Sequence, residues 1–264
     1  MNNTKIYRQI LLNREAGKKM LAIFIDLAKF DLRNLASIIA ELKIFTPDFI
    51  FVGGNMSTHS VDSMIEILKE EINAPIVLMP GDASQFSGKA DALIYLSLLS
   101  GRNPEYLIGQ HIKSANMIKE SGIEVIPTSY VLIDGGKLST IEYLSNTVAI
   151  PATNYEIAAS TALAGELLGM RMTFLGAGKE AIYPVSSKLI SQVKSKTELP
   201  IAVGGGIHTQ EHVNTALNAG ADIIVVDKLF DGQTQKIQDY IDWVKHYNED
   251  NQESSEKMTH PDIL

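Results

Sequence analysis

Eight short apolar runs, separated by amphipathic stretches along a chain of 264 residues, predict an α/β protein built as a closed (β/α)8 barrel. The runs are continuously apolar rather than alternating, as parallel strands buried on both faces are. Stretches with helical periodicity lie between most of them, and the length suits one barrel of about 250 residues. Eight strands with intervening helices close on themselves rather than form an open sheet.

In order, the expected strands are residues 20–26 (MLAIFID), 49–53, 76–79, 92–96, 125–133, 172–175, 201–203 and 223–226. The expected helices are 35–43, 60–71, 104–119, 155–168, 186–196 and 211–219. The third helix carries Asn103 as cap and Pro104 in its first turn, and it stops at Gly122. Two stretches are irregular. Strand-like sequence with a Gly135-Gly136 turn fills 125–151, where a helix is expected, and 81–90 (GDASQFSGKA) is polar and loop-like. The charged residues 248–264 read as a helix-poor, flexible tail outside a single domain of residues 1–247.

Composition narrows the function. A net charge of −8 and a pI near 5.3 argue against a nucleic-acid partner, which selects basic surfaces. With no cysteine there is no disulfide, thiol nucleophile or zinc–thiolate site. The first residues have no apolar leader core, and no run reaches the ~18 apolar residues of a spanning helix. A cytoplasmic protein without stable membrane insertion is expected, and an apolar substrate drawn from a membrane is compatible with that.

Leu199 to Thr209 (LPIAVGGGIHT) is the clearest binding motif. A buried run meets Gly204, Gly205 and Gly206, and Thr209 stands where a helix N-cap belongs. Backbone N–H groups there can converge on a phosphate near the positive end of a helix. Barrel chemistry sits at the carboxyl ends of the strands. Those ends carry Asp26, Gly53 to Asn55, Pro80 to Asp82, Ser97, Thr128 to Tyr130, Gly176 with Ala177, Gly178 and Lys179, the three glycines, and Asp227-Lys228. Asp26 is the best metal-ligand candidate, either binding Mg²⁺ or capping a turn. Asp82 and Asp227 hold similar positions. The Tyr130 hydroxyl either enters the site or belongs to the core. His111, His208 and His212 show no ligand spacing, and the structural reading is preferred for each.

Three long segments, LLSGRNPEYLIGQH (98–111), EVIPTSYVLIDGG (124–136) and IPATNYEIAASTALAGELLGMR (150–171), closely resemble the geranylgeranylglyceryl phosphate synthases. The likeness covers about residues 18–245, on the branch found in many archaea and some bacteria. It implies a modified TIM barrel with one helix replaced by extended chain, which would account for the stretch after Val125. It also implies Mg²⁺-dependent transfer of a polyprenyl group from its diphosphate to the 3-hydroxyl of sn-glycerol 1-phosphate. A homo-oligomer, dimer or hexamer, belongs to the same implication. In such a reaction the diphosphate leaves, the allylic carbon gains cation character, and a base takes the acceptor's proton.

Carried over residue by residue, the likeness is uneven. Asp26 matches the family's magnesium aspartate, although Asp-Pro-Asp-Lys there reads Asp26-Leu27-Ala28-Lys29. The second metal position falls on Asn55, with Ser57 and Thr58 nearby. The family's Tyr-Leu-Glu-Ala-Gly-Ser-Gly-Ala is Phe174 to Ala181, so Gly176 replaces the Glu and Lys179 the Ser. Asp227-Lys228 replaces a Gly followed by Asn or Thr at the phosphate cradle. Lys179 and Glu180 are the candidates for a replacement base. The acceptor side is therefore the altered half. Three readings follow: prenyl transfer to glycerol 1-phosphate or another acceptor, a terpene synthase or cyclase that ionises the diphosphate without a phosphate acceptor, and an inactive prenyl-lipid-binding paralogue.

Overall fold

The computed structural model describes residues 4–27, 32–54, 61–227 and 236–259. Ala28, Lys29, Asn55, Ser57, Thr58 and Lys228 lie outside them. The elements run α1 (Lys5–Glu15), β1 (Met20–Asp26), α2 (Leu32–Ile44), β2 (Phe49–Gly54), α3 (Val61–Glu71), β3 (Ile76–Pro80), β4 (Ala92–Leu98), α4 (Gln110–Ser121) and β5 (Glu124–Leu132). They continue with α5 (Thr140–Ser145), α6 (Tyr155–Leu167), β6 (Met172–Gly176), α7 (Ser187–Lys194), β7 (Ile201–Gly204), α8 (Gln210–Asn218), β8 (Ile223–Val226) and α9 (Ile237–Thr259). The strands form a closed parallel barrel in sequence order, β8 pairing back on β1 through Met20–Ile223 and its neighbours. The eight expected strands are all present, each within two residues of its expected ends.

Successive side chains of a strand point to opposite faces, and the continuous apolar runs serve both. Met20, Ala22, Phe49, Phe51, Ala92, Ile94, Met172, Phe174, Ala202 and Val225 fill the barrel interior. Their neighbours Leu21, Ile23, Ile50, Val52, Leu93, Leu175, Val203 and Ile224 pack outward under the helices. A strict alternation would have left one face wet.

The amino end of the barrel is a structural face. Helix α1, which the sequence pattern did not signal, plugs it with Ile6 and Ile10, which join the interior cluster. The buried carboxylate of Glu124 accepts the first-turn N–H groups of Ile6 (2.8 Å) and Tyr7 (2.7 Å), latching that helix. Asp222, also buried, accepts from the Ile201 N–H at 2.9 Å and stands 3.7–3.8 Å from Arg14, Lys19 and Lys194.

Two expectations are corrected. The stretch after Val125 is not where a helix is lost. It carries α5, started by a Ser139–Glu142 capping box, and then α6, with an Ile133–Ile150 bridge closing the loop that holds α5. The connection without an α-helix is β3 to β4, where residues 81–91 hold a single 3₁₀ turn, Ala83–Gln85, capped by Asp82. The polar, helix-poor composition of that segment is the reason: it cannot cover the barrel with an apolar stripe. The second correction concerns the C-terminus. Helix α9 continues through residues read as helix-poor and ends at Thr259, while its first half buries Ile237, Tyr240 and Val244. No helix among the described residues is long and apolar enough to cross a membrane.

Candidate active site

At the carboxyl end of the barrel a cavity opens among Phe24, Asp26, Gly54, Tyr130, Phe174, Gly178, Lys179, Glu180, Gly204, Gly205 and Asp227. Its roof is the segment Ser139-Thr140-Ile141 at the start of α5. A second, apolar channel leaves from it, sharing Pro80, Gly81, Leu96, Tyr130 and Ile141 and continuing past Phe86, Leu93, Tyr95, His111 and Ile118. This channel lies between the β3–β4 connection and α4. The missing helix is thus what leaves room for it.

The mouth is charged. Asp26, only 6% exposed, receives the Lys179 ammonium from across the barrel, Nζ to Oδ2 at 3.0 Å. Its other oxygen faces Gly54, where an added Cβ would sit 2.2 Å from Oδ1. Lys179 is aimed inward by a tightly held loop. Gly178 takes φ +84°, and a Cβ there would lie 2.6 Å from the Cβ of Ser139. Glu180 accepts from the Thr140 N–H at 3.2 Å and from the Thr140 hydroxyl. Burial pushes the Glu180 carboxyl up, but the Thr140 hydrogen bonds and the nearby Lys179 charge more than offset this and hold it below the ordinary carboxylate range.

Tyr130 stands where mouth and channel meet. Its ring stacks on Phe174 with centroids 5.1 Å apart and planes 13° apart. Its hydroxyl lies over the bare Cα of Gly176, where a Cβ would come within 2.1 Å of Oη. Burial, and then the charges of Asp227 and Glu180, push this phenol well above its ordinary pKa, so it stays a hydrogen-bond donor at neutral pH. Both alternatives read for Tyr130 therefore hold at once: its ring is core and its hydroxyl edges the cavity.

The glycine motif folds as expected into a strand–turn–helix junction, with Gly205 at φ +87° and Gly206 at φ +73°. Gly204 and Gly205 line the mouth, and Thr209 caps α8 by accepting the His212 N–H. An added Cβ at Gly205 would sit 2.5 Å from the Gly178 carbonyl, so these two loops are pressed together. His208 and His212 serve the start of α8, the His208 N–H reaching His212 Nδ1 at 3.3 Å. His111 instead lines the channel, edge-on to Tyr95 (4.3 Å) and 3.2 Å from Ser97 Oγ. Burial lowers its pKa, which keeps the ring neutral. Asp82 faces the channel as the cap of the 3₁₀ turn, its carboxyl held low first by Ser84.

The model of the PcrB family matches residues 31–246. The chain belongs to the PcrB family. It is 44% identical over 243 residues to the geranylgeranylglyceryl phosphate synthase of Chitinophaga pinensis, covering 92% of this chain and 96% of that protein. With the enzyme of the same name from Zunongwangia profunda it shares 41% over 228 residues, 86% of this chain and 97% of the other. The crystal structure of (S)-3-O-geranylgeranylglyceryl phosphate synthase from Thermoplasma acidophilum, in complex with substrate sn-glycerol-1-phosphate, superposes with a TM-score of 0.84 at 29% identity, covering 92% of this chain and 98% of that one.

Against that family background the expected Mg²⁺ site can be tested on the residues themselves. Asp26 is engaged by Lys179, and Asn55 lies outside the described residues. Among the described residues no group of three or more His, Cys, Asp or Glu side chains is arranged to hold a metal ion. Asp26, paired with Lys179, is thus the one described residue of the expected Mg²⁺ pair, and alone it does not make a resident site. Sequence reasoning also missed the roof. Thr140, partner of Glu180, was not singled out, although Ser139-x-x-Glu142 has the capping-box spacing that marks a helix start there.

Proposed function

We propose that the protein is a prenyltransferase that takes a polyprenyl diphosphate with its charged head at the barrel mouth and its hydrocarbon tail in the adjoining channel. One observation carries this: a cavity holding Asp26, Lys179, Glu180 and Asp227 runs directly into a channel lined by Phe86, Leu93, Tyr95, Leu98 and Ile118. A small polar substrate has no use for the channel, and a plain lipid has none for the charged mouth. Buried hydrocarbon contributes ~0.8 kcal/mol per methylene, so the tail supplies most of the affinity. The family relatives, named geranylgeranylglyceryl phosphate synthases, support the same reading.

In this site Lys179 meets the departing diphosphate, while Tyr130 and Phe174 wall the allylic carbon off from water. Glu180 and Asp227 are the mouth carboxylates able to take an acceptor's proton. No Mg²⁺ is assigned and no step is routed through one, because Lys179 already engages Asp26.

The acceptor to test first is sn-glycerol 1-phosphate, the ligand of the Thermoplasma acidophilum relative. A second reading is favoured by Asp227, which lines the mouth beside Gly204 and Gly205. A carboxylate facing a phosphate on that turn is repelled by about 4 kcal/mol at a 4 Å separation and an effective dielectric of 20. On that reading the cation is captured by a different acceptor or by water, or rearranges as in a terpene synthase. Incubation with geranylgeranyl diphosphate, with and without glycerol 1-phosphate, separates them. Pyrophosphate release only with the acceptor supports the synthase, and release without it, with an alcohol or hydrocarbon product, supports the second. Binding without release under any condition refutes both and leaves a prenyl-lipid-binding paralogue.

A homo-oligomer, dimer or hexamer, is supported by the exposed apolar side chains Tyr143, Val148, Leu167 and Leu168. Light scattering tests it, and a monomer mass refutes it.

A further inference from the structure

We propose that the Lys179 ammonium is a built-in cation that holds a divalent ion's place against Asp26, so that a diphosphate head binds this mouth without metal. The inference rests on the proposed diphosphate site and assigns its positive charge to one side chain. Lys179 reaches Asp26 from the opposite side of the barrel at 3.0 Å, and it does so on a loop with little freedom. Gly178 is in the left-handed region against Ser139, and the next residue but two, Ala181, is 2% exposed. Asp26 Oδ2 accepts this contact and Oδ1 faces the Gly54 backbone, so the ammonium stands where a cation on Oδ2 would otherwise sit.

The charge pattern points the same way. Asp26, Glu180 and Asp227 line the mouth, and Lys179 is the cation among its described lining residues. A diphosphate could not settle beside three carboxylates without positive charge at the point where it leaves. An ammonium is a compact point charge with three donors, of which Asp26 takes one. The side chain is 27% exposed and lines the cavity.

The test is calorimetric binding of inorganic pyrophosphate in EDTA and in Mg²⁺, together with electron paramagnetic resonance of added Mn²⁺ without ligand. The wild-type protein is expected to bind pyrophosphate equally well in both buffers, within threefold, and to hold no stoichiometric Mn²⁺. Lys179→Ala should lose at least tenfold in EDTA and recover most of it with Mg²⁺, the ion entering the place the ammonium vacated. Lys179→Arg should remain metal-independent, which shows that charge and not mere packing is at work. One Mn²⁺ per wild-type chain, lost in Asp26→Asn, would overturn the inference while leaving the prenyl-diphosphate reading intact. The same holds if wild-type binding in EDTA is more than tenfold weaker than in Mg²⁺. Failure of pyrophosphate and of a geranylgeranyl thiodiphosphate to bind in either buffer would sink both.

Discussion

Gly176→Ala should disable the junction between mouth and channel. The added Cβ would lie 2.1 Å from Tyr130 Oη and 2.6 Å from its Cζ, against about 3.4 Å for an ordinary contact. Tyr130 must therefore move by about 1.3 Å, the difference between 3.4 and 2.1 Å. That shift breaks the stack on Phe174, 5.1 Å away, and drives a ring that is only 7% exposed into the cavity it edges. Overpacking of this kind costs roughly 1–3 kcal/mol, and a disturbed aromatic pair adds part of its 0.5–1.5 kcal/mol. We expect a loss of about 2 kcal/mol by urea unfolding and a fall of at least tenfold in affinity for geranylgeranyl diphosphate. The double variant Gly176→Ala/Tyr130→Leu removes the obstacle, so in the Tyr130→Leu background the same alanine should cost less than about 0.5 kcal/mol. An alanine at 176 that is harmless in the wild-type background refutes the packing argument and frees Tyr130 from its place as divider.

Three further outcomes are expected. Ser114→Phe narrows the channel at a buried position, and displacing one five-carbon unit of tail removes about 4 kcal/mol, so the twenty-carbon diphosphate should weaken roughly a thousandfold while the ten-carbon one is unaffected; equal losses would place the tail elsewhere. Glu180 has its pKa lowered in the fold, so its stabilising contribution is present above the ordinary carboxylate pKa and disappears as pH falls through the lowered value. Thr140→Val should thus cost about 1 kcal/mol at neutral pH, discounted for partial exposure, and much less in acid; an equal cost at both pH values contradicts the assignment. At the opposite end, Glu124→Gln leaves one first-turn N–H of α1 facing an amide, which should lower stability by about 2 kcal/mol without changing pyrophosphate affinity; an unchanged unfolding midpoint would show that Glu124 is not the latch.

The barrel was legible because its strands are apolar on both faces, a pattern that survives in one dimension. Asp26, the glycine turn and Asp227 were equally legible, since a strand's carboxyl end can be read from where its apolar run stops. What stayed hidden depends on distance in space. Lys179 and Asp26 are separated by 153 positions, and nothing local in either segment announces their pairing. The role of Gly176 likewise appears only when the Tyr130 ring is seen lying over it. Helix α1 was missed because its apolar side, Ile6 and Ile10, faces the barrel end over a short, highly charged segment. The helix missing from the barrel was placed one irregular stretch too late, since strand-like residues after Val125 hid α5 while the segment at 81–91, which holds no α-helix, looked like an ordinary loop.

The central claim is that one amphipathic cavity holds a prenyl diphosphate, head at Lys179 and tail past Tyr130. A crystal structure with geranylgeranyl thiodiphosphate, which cannot readily ionise, tests it most directly. The account predicts phosphate oxygens within hydrogen-bond distance of Lys179 Nζ and the hydrocarbon chain running between Phe86 and Ile118 toward His111. Density for the ligand anywhere else, or none at saturating concentration, would contradict it.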